Sequence, residues 1–172
     1  MIKLSNGRGQ LGTKLTEKFQ NHPTTSDITI YHTWKVPYLY NPQSGEEENI
    51  QKNEYQKLVD YSKNNPNTKI IFISTNSNRS TLYTYYKELA EAYLLLNHKK
   101  CIILKFPVFI GEGVIKKLKI GEIQPYGITE VITLNKAVDV IEEYLEYNDL
   151  KRVFIIHGEK IEAKTILEIL KV

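Results

Sequence analysis

Residues 2–15 read Ile2-Lys3-Leu4-Ser5-Asn6-Gly7-Arg8-Gly9-Gln10-Leu11-Gly12-Thr13-Lys14-Leu15. A short apolar run meets glycines spaced Gly7-x-Gly9-x-x-Gly12, and Leu11, Leu15 and Phe19 then recur every four residues. The pattern predicts a strand at Ile2–Ser5 that turns through glycine into a helix over about 10–19 with one apolar face. In such a turn the first glycine makes the bend, the second lets backbone approach a pyrophosphate, and the third lets helix pack on strand. The first helical amides then face the anion. Gly7, Arg8, Gly9, Gln10, Leu11 and Gly12 are therefore candidate residues for holding dinucleotide phosphates. An acidic residue about 20 positions later completes the fingerprint by meeting a ribose. Asp27 lies near that spacing but precedes its strand, whose carboxyl end carries His32, Thr33, Trp34 and Lys35.

Outward from this turn, strand-like runs alternate with helix-length amphipathic segments, which predicts an α/β, Rossmann-like, mostly parallel sheet of about 5–6 strands with helices on both faces. Asp27–His32 reads as the second strand in chain order. Tyr38–Gly45 is a turn-rich loop long enough to be a functional edge, where Tyr38, Tyr40 and Trp34 are more simply read as packing among themselves. A helix over 46–64 opens on Glu46, Glu47 and Glu48, placed where the helix dipole favours them. Lys69–Ser74 has the near-continuous β-branched and aromatic run of a strand buried on both faces. A helix over 81–96, a strand at Cys101–Phe106, a strand near 131–134, a helix over 136–147, a strand at 152–156 and a helix over 162–170 follow. Residues 114–129 read as a short insertion of mixed character.

At 172 residues, with 41% apolar and 25% charged side chains, the chain suits one domain spanning 1–172. A net charge of +3, mixed along the chain, gives no basic stripe for nucleic acid. No apolar run reaches the ~20 residues of a membrane span, and Met1 leads straight into a strand without a signal-peptide pattern. The single Cys101 lies in an apolar run, which fits a buried thiol and a reducing, cytoplasmic setting. His22, His32, His98 and His157 lack metal-ligand spacing and read as surface or loop residues, so no metal site is expected. Lys116, Lys117 and Lys119 read as a solvated face.

Tyr83-Thr84-Tyr85-Tyr86-Lys87 sets a phenol and an ammonium four residues apart on one helix face. A cation beside a phenol favours the phenolate and prepares it for proton exchange. Tyr31/Lys35 and Tyr147/Lys151 share the spacing, so the string alone carries little. Tyr83/Lys87 differs in opening the helix that follows the Ser74-Thr75 strand end, the region where open α/β sheets bind ligands.

Here the chain resembles the short-chain dehydrogenase/reductase superfamily, in particular its extended branch of nucleotide-sugar epimerases and dTDP-4-dehydrorhamnose reductases. Ser5–Gly12 resembles that branch's phosphate turn, Asp27–His32 its third strand, Asn53–Ser62 the helix after it, and Ile73-Ser74-Thr75 the strand end bearing the catalytic hydroxyl. Leu104–Pro107 and Ile110–Gly113 are similar to its substrate-side strand and glycine turn. The resemblance implies Tyr83, Lys87, Thr75 and Ser74 as catalytic residues, and His32 and Lys87 as cofactor-binding residues beside the glycine turn. It also implies Lys105 and Gly111 as substrate-binding residues, NAD or NADP as cofactor and a nucleotide-sugar substrate. A homodimer through helices 46–64 and 81–96 is implied as well. In that chemistry Tyr83 exchanges the proton of the sugar oxygen, Lys87 lowers its pKa and holds the cofactor ribose, and Thr75 bonds the same oxygen. The chain also departs from the pattern. Asn6 stands in place of the first glycine, a strand and helix for the adenosine are missing, and the lobe after Gly113 is reduced. The competing expectation is a noncatalytic binding or scaffold protein that keeps the fold without the adenosine site.

Overall fold

The computed structural model describes residues 1–5, 9–23, 26–35, 45–78, 80–121 and 127–170, without the side chains of 113, 114, 117, 163, 167, 169 and 170. The elements run β1 Ile2–Leu4, α1 Gly9–Phe19, β2 Ile28–Tyr31, α2 Glu46–Asn64, β3 Lys69–Thr75, α3 Leu82–Asn97, β4 Cys101–Phe106 and β5 Val108–Ile110. They continue α4 Glu112–Lys119, β6 Ile128–Thr133, α5 Leu134–Glu143, β7 Arg152–Ile155, β8 Glu159–Glu162 and α6 Ala163–Leu170. A parallel sheet of five strands has the order β1-β2-β3-β4-β7, and β5, β6 and β8 form a second sheet in which β5 is parallel and β8 antiparallel to β6. The expected α/β architecture is present.

The strand pleat assigns the side chains to two layers. Ile28, Ile30, Ile71, Ile73, Ile102 and Leu104 point to the layer holding Leu15 and Phe19 of α1 and Ala137, Val138 and Ile141 of α5. Tyr31, Ile70, Phe72, Cys101 and Ile103 point to the other, against Leu58 of α2 and Ala90 and Leu94 of α3. β3 and β4 are thus covered on both faces, which is why their sequences are apolar without alternation.

The order of the large sheet advances in one direction while α1 and α2 lie on opposite faces. The crossovers β1-α1-β2 and β2-α2-β3 therefore have opposite hands, and one takes the rare left hand. The dinucleotide-binding order 3-2-1-4-5-6 explains this. Removing its strands 2 and 3 leaves α1 on its own face while the next strand falls on the other side of β1. The Asp27–His32 segment accordingly sits beside β1 in the fourth-strand position, not in the third-strand position its sequence resembles.

Two buried polar residues join elements at the amino end of the sheet. Lys69 Nζ donates to the carbonyls of Tyr144, Leu145 and Tyr147 at 3.1, 2.7 and 2.8 Å. It thereby supplies a cation and donors where α5 ends. His98, expected at the surface, is 2% exposed. Its Nε2 donates to Thr68 O at 2.7 Å and its Nδ1 accepts from Ser62 Oγ at 2.8 Å, so both nitrogens are satisfied in the core. In the smaller sheet a Cβ at Gly158 would fall 2.0 Å from Val131 O, so only glycine lets the chain pass from β7 to β8 there. Glu130 accepts from Gly158 N at 2.7 Å and lies 3.2 Å from His157 Nδ1.

Candidate functional site

Gly7 and Arg8 of the glycine turn lie outside the described residues, as do residues 36–44 with Tyr38 and Tyr40. Gly9 opens α1 at φ 82°, in the left-handed region that glycine enters freely, and Gly12 is buried within α1. Gln10 reaches across to Gly111 at the start of α4. A Cβ on Gly111 would lie 2.4 Å from Gln10 Oε1 and 2.6 Å from Leu134 Cδ1. The starts of α1 and α4 are thus brought together by a close approach of Gln10 to Gly111.

The ends of β1 and β2 are laced through Ser5, whose Oγ accepts from His32 N and Thr33 N at 3.1 Å each and lies 2.5 Å from Thr33 Oγ1. His32 is half-buried beside this junction. Asp27 stands at the opposite end of β2, exposed and 3.6 Å from the N-terminal amine. It therefore lies at the amino end of the sheet, away from the glycine turn.

Tyr83 and Lys87 share the inward face of α3, with Lys87 Nζ 5.8 Å from the Tyr83 ring centre. The ammonium does not face solvent. Nζ donates to Ile73 O at 2.8 Å and lies 4.6 Å from the Phe72 ring centre and 4.7 Å from that of Trp34. Lys87 is 3% exposed. Burial lowers its pKa to about 7, against the upward pull of Glu91 and then Glu54.

The remaining candidates have partners of their own. Ser74 Oγ donates to Glu91 Oε1 at 2.5 Å, and Lys105 Nζ contacts Glu91 Oε2 at 3.0 Å. Glu91 thus draws Ser74 and Lys105 into one array. Thr75 Oγ1 accepts from Ser77 N at 3.2 Å, a turn that its own strand end dictates. A shallow groove lined by Ser77, Asn78, Ser80, Thr81, Tyr85 and Glu88 runs beside the start of α3, and its lining excludes Thr75, Tyr83 and Lys87.

Trp34, Gln51 and Glu91 escape a reading by motif. Trp34 Nε1 donates to Gln51 Oε1 at 2.6 Å, and Gln51 Nε2 donates to Lys35 O at 2.9 Å. The available signal was Glu91 four residues after Lys87 on the same helix. Nothing local marks Gln51, a polar residue buried in the middle of α2.

No protein-family model and no curated protein matches the sequence. Solved structures do match in fold. RMD from Pseudomonas aeruginosa, complexed with NADPH, aligns with TM-score 0.70 at 12% identity, covering 99% of this chain and 84% of that one. UDP-glucose 4-epimerase from Thermus thermophilus, complexed with NAD, aligns with TM-score 0.69 at 12% identity, over 98% and 81%. WbmG from Bordetella bronchiseptica, in complex with NAD and UDP, aligns with TM-score 0.67 at 14% identity, over 98% and 76%. The fold is the one these solved structures share, and the chain spans 76–84% of their lengths. No helix among the described residues is long and apolar enough to cross a membrane.

Proposed function

We propose that this chain is a binding protein on the extended short-chain dehydrogenase/reductase fold, which takes a nucleotide-linked sugar at the carboxyl end of the parallel sheet without hydride transfer. The observation that carries this reading is the place of β2. In the order 3-2-1-4-5-6 the adenosine half of a dinucleotide is met by the strands outside strand 1. Here β2 fills the fourth position and β1 is the outermost described strand on that side. Among the described residues an adenosine has no neighbouring strand to lie against, and Asp27 stands at the wrong end to meet its ribose. With the amine of Lys87 turned inward, these residues do not fit a nicotinamide dinucleotide.

The nucleotide-sugar ligand is supported by the fold neighbours, which include a UDP-sugar epimerase and a UDP-bound WbmG. The amino end of α1 adds amides oriented for a diphosphate. A second reading keeps the catalytic roles of Tyr83, Lys87, Thr75 and Ser74 with NAD or NADP, and the shared face of Tyr83 and Lys87 favours it. A homodimer through α2 and α3 accompanies either reading. Leu96 is 79% exposed on α3, and Leu96→Glu is expected to shift the sedimenting species towards monomer; an unchanged sedimentation coefficient would remove α3 from the interface.

Trp34 is the chain's single tryptophan, so its emission reports on the site directly. Titration with UDP or dTDP is expected to change that emission to saturation, and NADH to give no energy transfer from Trp34. Saturable energy transfer to NADH, together with sugar turnover that Tyr83→Phe removes, would overturn the noncatalytic reading in favour of the second.

A further inference from the structure

The family role of Lys87 needs its ammonium directed at a ribose oxygen, within the ~3 Å of a hydrogen bond. The shell around Nζ is filled from within the protein. Ile73 O accepts at 2.8 Å, and the rings of Phe72 and Trp34 stand with their centres 4.6 and 4.7 Å away. Of these only Trp34 comes from the stretch after β2, at the carboxyl end of the sheet where ligands enter. Phe72 belongs to β3 and cannot move without the sheet. The indole is held in place, since Nε1 donates to the buried Gln51, which also ties down Lys35 O. Stacking against a desolvated ammonium adds attraction.

We infer that Trp34 is the specificity-determining residue of this site: its indole occupies the approach to Lys87, so the site accepts phosphate-bearing ligands that end short of Lys87 and excludes nicotinamide nucleotides. The inference rests on the noncatalytic reading and adds the residue that enforces it. Gln51 is its positioning partner.

The test is the acetylation rate of individual lysines in the native full chain, measured by peptide mapping after brief exposure to sulfo-N-hydroxysuccinimide acetate. Exposed Lys52 is the fast reference, and Lys69, buried at the far end of β3, reports any general opening. Wild-type Lys87 is expected to react at least about tenfold more slowly than Lys52, as a group reached only through opening. Trp34→Ala is expected to raise Lys87 towards Lys52 while Lys69 stays slow, and millimolar nicotinamide mononucleotide to slow Lys87 again in that variant alone. If Lys69 also becomes fast, the variant has opened as a whole, and Trp34→Leu, which keeps apolar filling without the ring, decides by the same criteria. Wild-type Lys87 as fast as Lys52, an unchanged slow Lys87 in the opened variant, or no protection by the mononucleotide would each overturn the assignment. These rates are read without NADH, so failure here is distinguishable from failure of the noncatalytic reading, which the energy-transfer titration decides.

Discussion

Lys87 binds its proton under two different demands, one in the folded protein and one in the unfolded chain. Unfolded, the amine keeps its proton to about pH 10; folded, burial releases it near pH 7, with its pKa at about 7. Between these values the unfolded chain binds more protons, so stability rises with pH, and below pH 7 the cost of burying the cation is fully present. The useful window closes near pH 8.5, where the Cys101 thiol, pushed up to about 11 by its burial, begins to act in the opposite direction. From pH 6.5 to 8.5 the Lys87 contribution is about 2 kcal/mol. Denaturant unfolding at both pH values is expected to show that increment in the wild type and its loss in Lys87→Met; equal increments in the two proteins would contradict a buried amine. At this scale the sequence was partly readable. The Tyr83/Lys87 spacing located two residues that do share a face, but spacing cannot say which way an amine turns. That is decided by Trp34 and Ile73, each distant from Lys87 in the chain.

Elements were more legible where burial is two-sided. β3 and β4 announce themselves because a strand covered on both faces must be apolar at every position, and α2 begins at the acidic run that suits a helix start. β5 and β8 were not foreseen. They are three and four residues long and contain no fully buried position, and they exist through pairing with β6. The joints between elements follow the same rule of non-local cause. Lys69→Met leaves three carbonyls at the end of α5 without their donor and is expected to cost about 2–3 kcal/mol in denaturant unfolding; a loss below about 0.5 kcal/mol would mean that water replaces the amine. Gly158→Ala drives a methyl into the backbone of Val131 and is expected to cost about 3 kcal/mol, whereas Gly111→Ala meets the flexible end of Gln10 and one Leu134 methyl and is expected to cost about 1 kcal/mol. The reverse ranking in thermal melts would contradict the described close approaches.

For the whole molecule, the decisive feature is an order of strands that no single strand encodes. Asp27–His32 has the composition of any buried strand, and only its pairing with Ile2–Leu4 on one side and Lys69–Phe72 on the other reveals its position. That position accounts for the helices α1 and α2 on opposite faces and for β1 as the outermost described strand on its side; under the proposed function it also leaves an adenosine without a strand beside it among the described residues. On the proposed reading the glycine stretch, a complete dinucleotide motif by sequence alone, serves only the phosphate half of such a site. A thermal melt in the presence of NADH, NADPH or UDP tests this most directly. A ligand at a hundredfold excess over its Kd stabilises the folded state by about 2.7 kcal/mol, equivalent to roughly 5–10 °C for a chain of this size. UDP is predicted to raise Tm by that amount, while millimolar NADH and NADPH leave it within about 1 °C. A rise of several degrees with either nicotinamide dinucleotide would contradict the account.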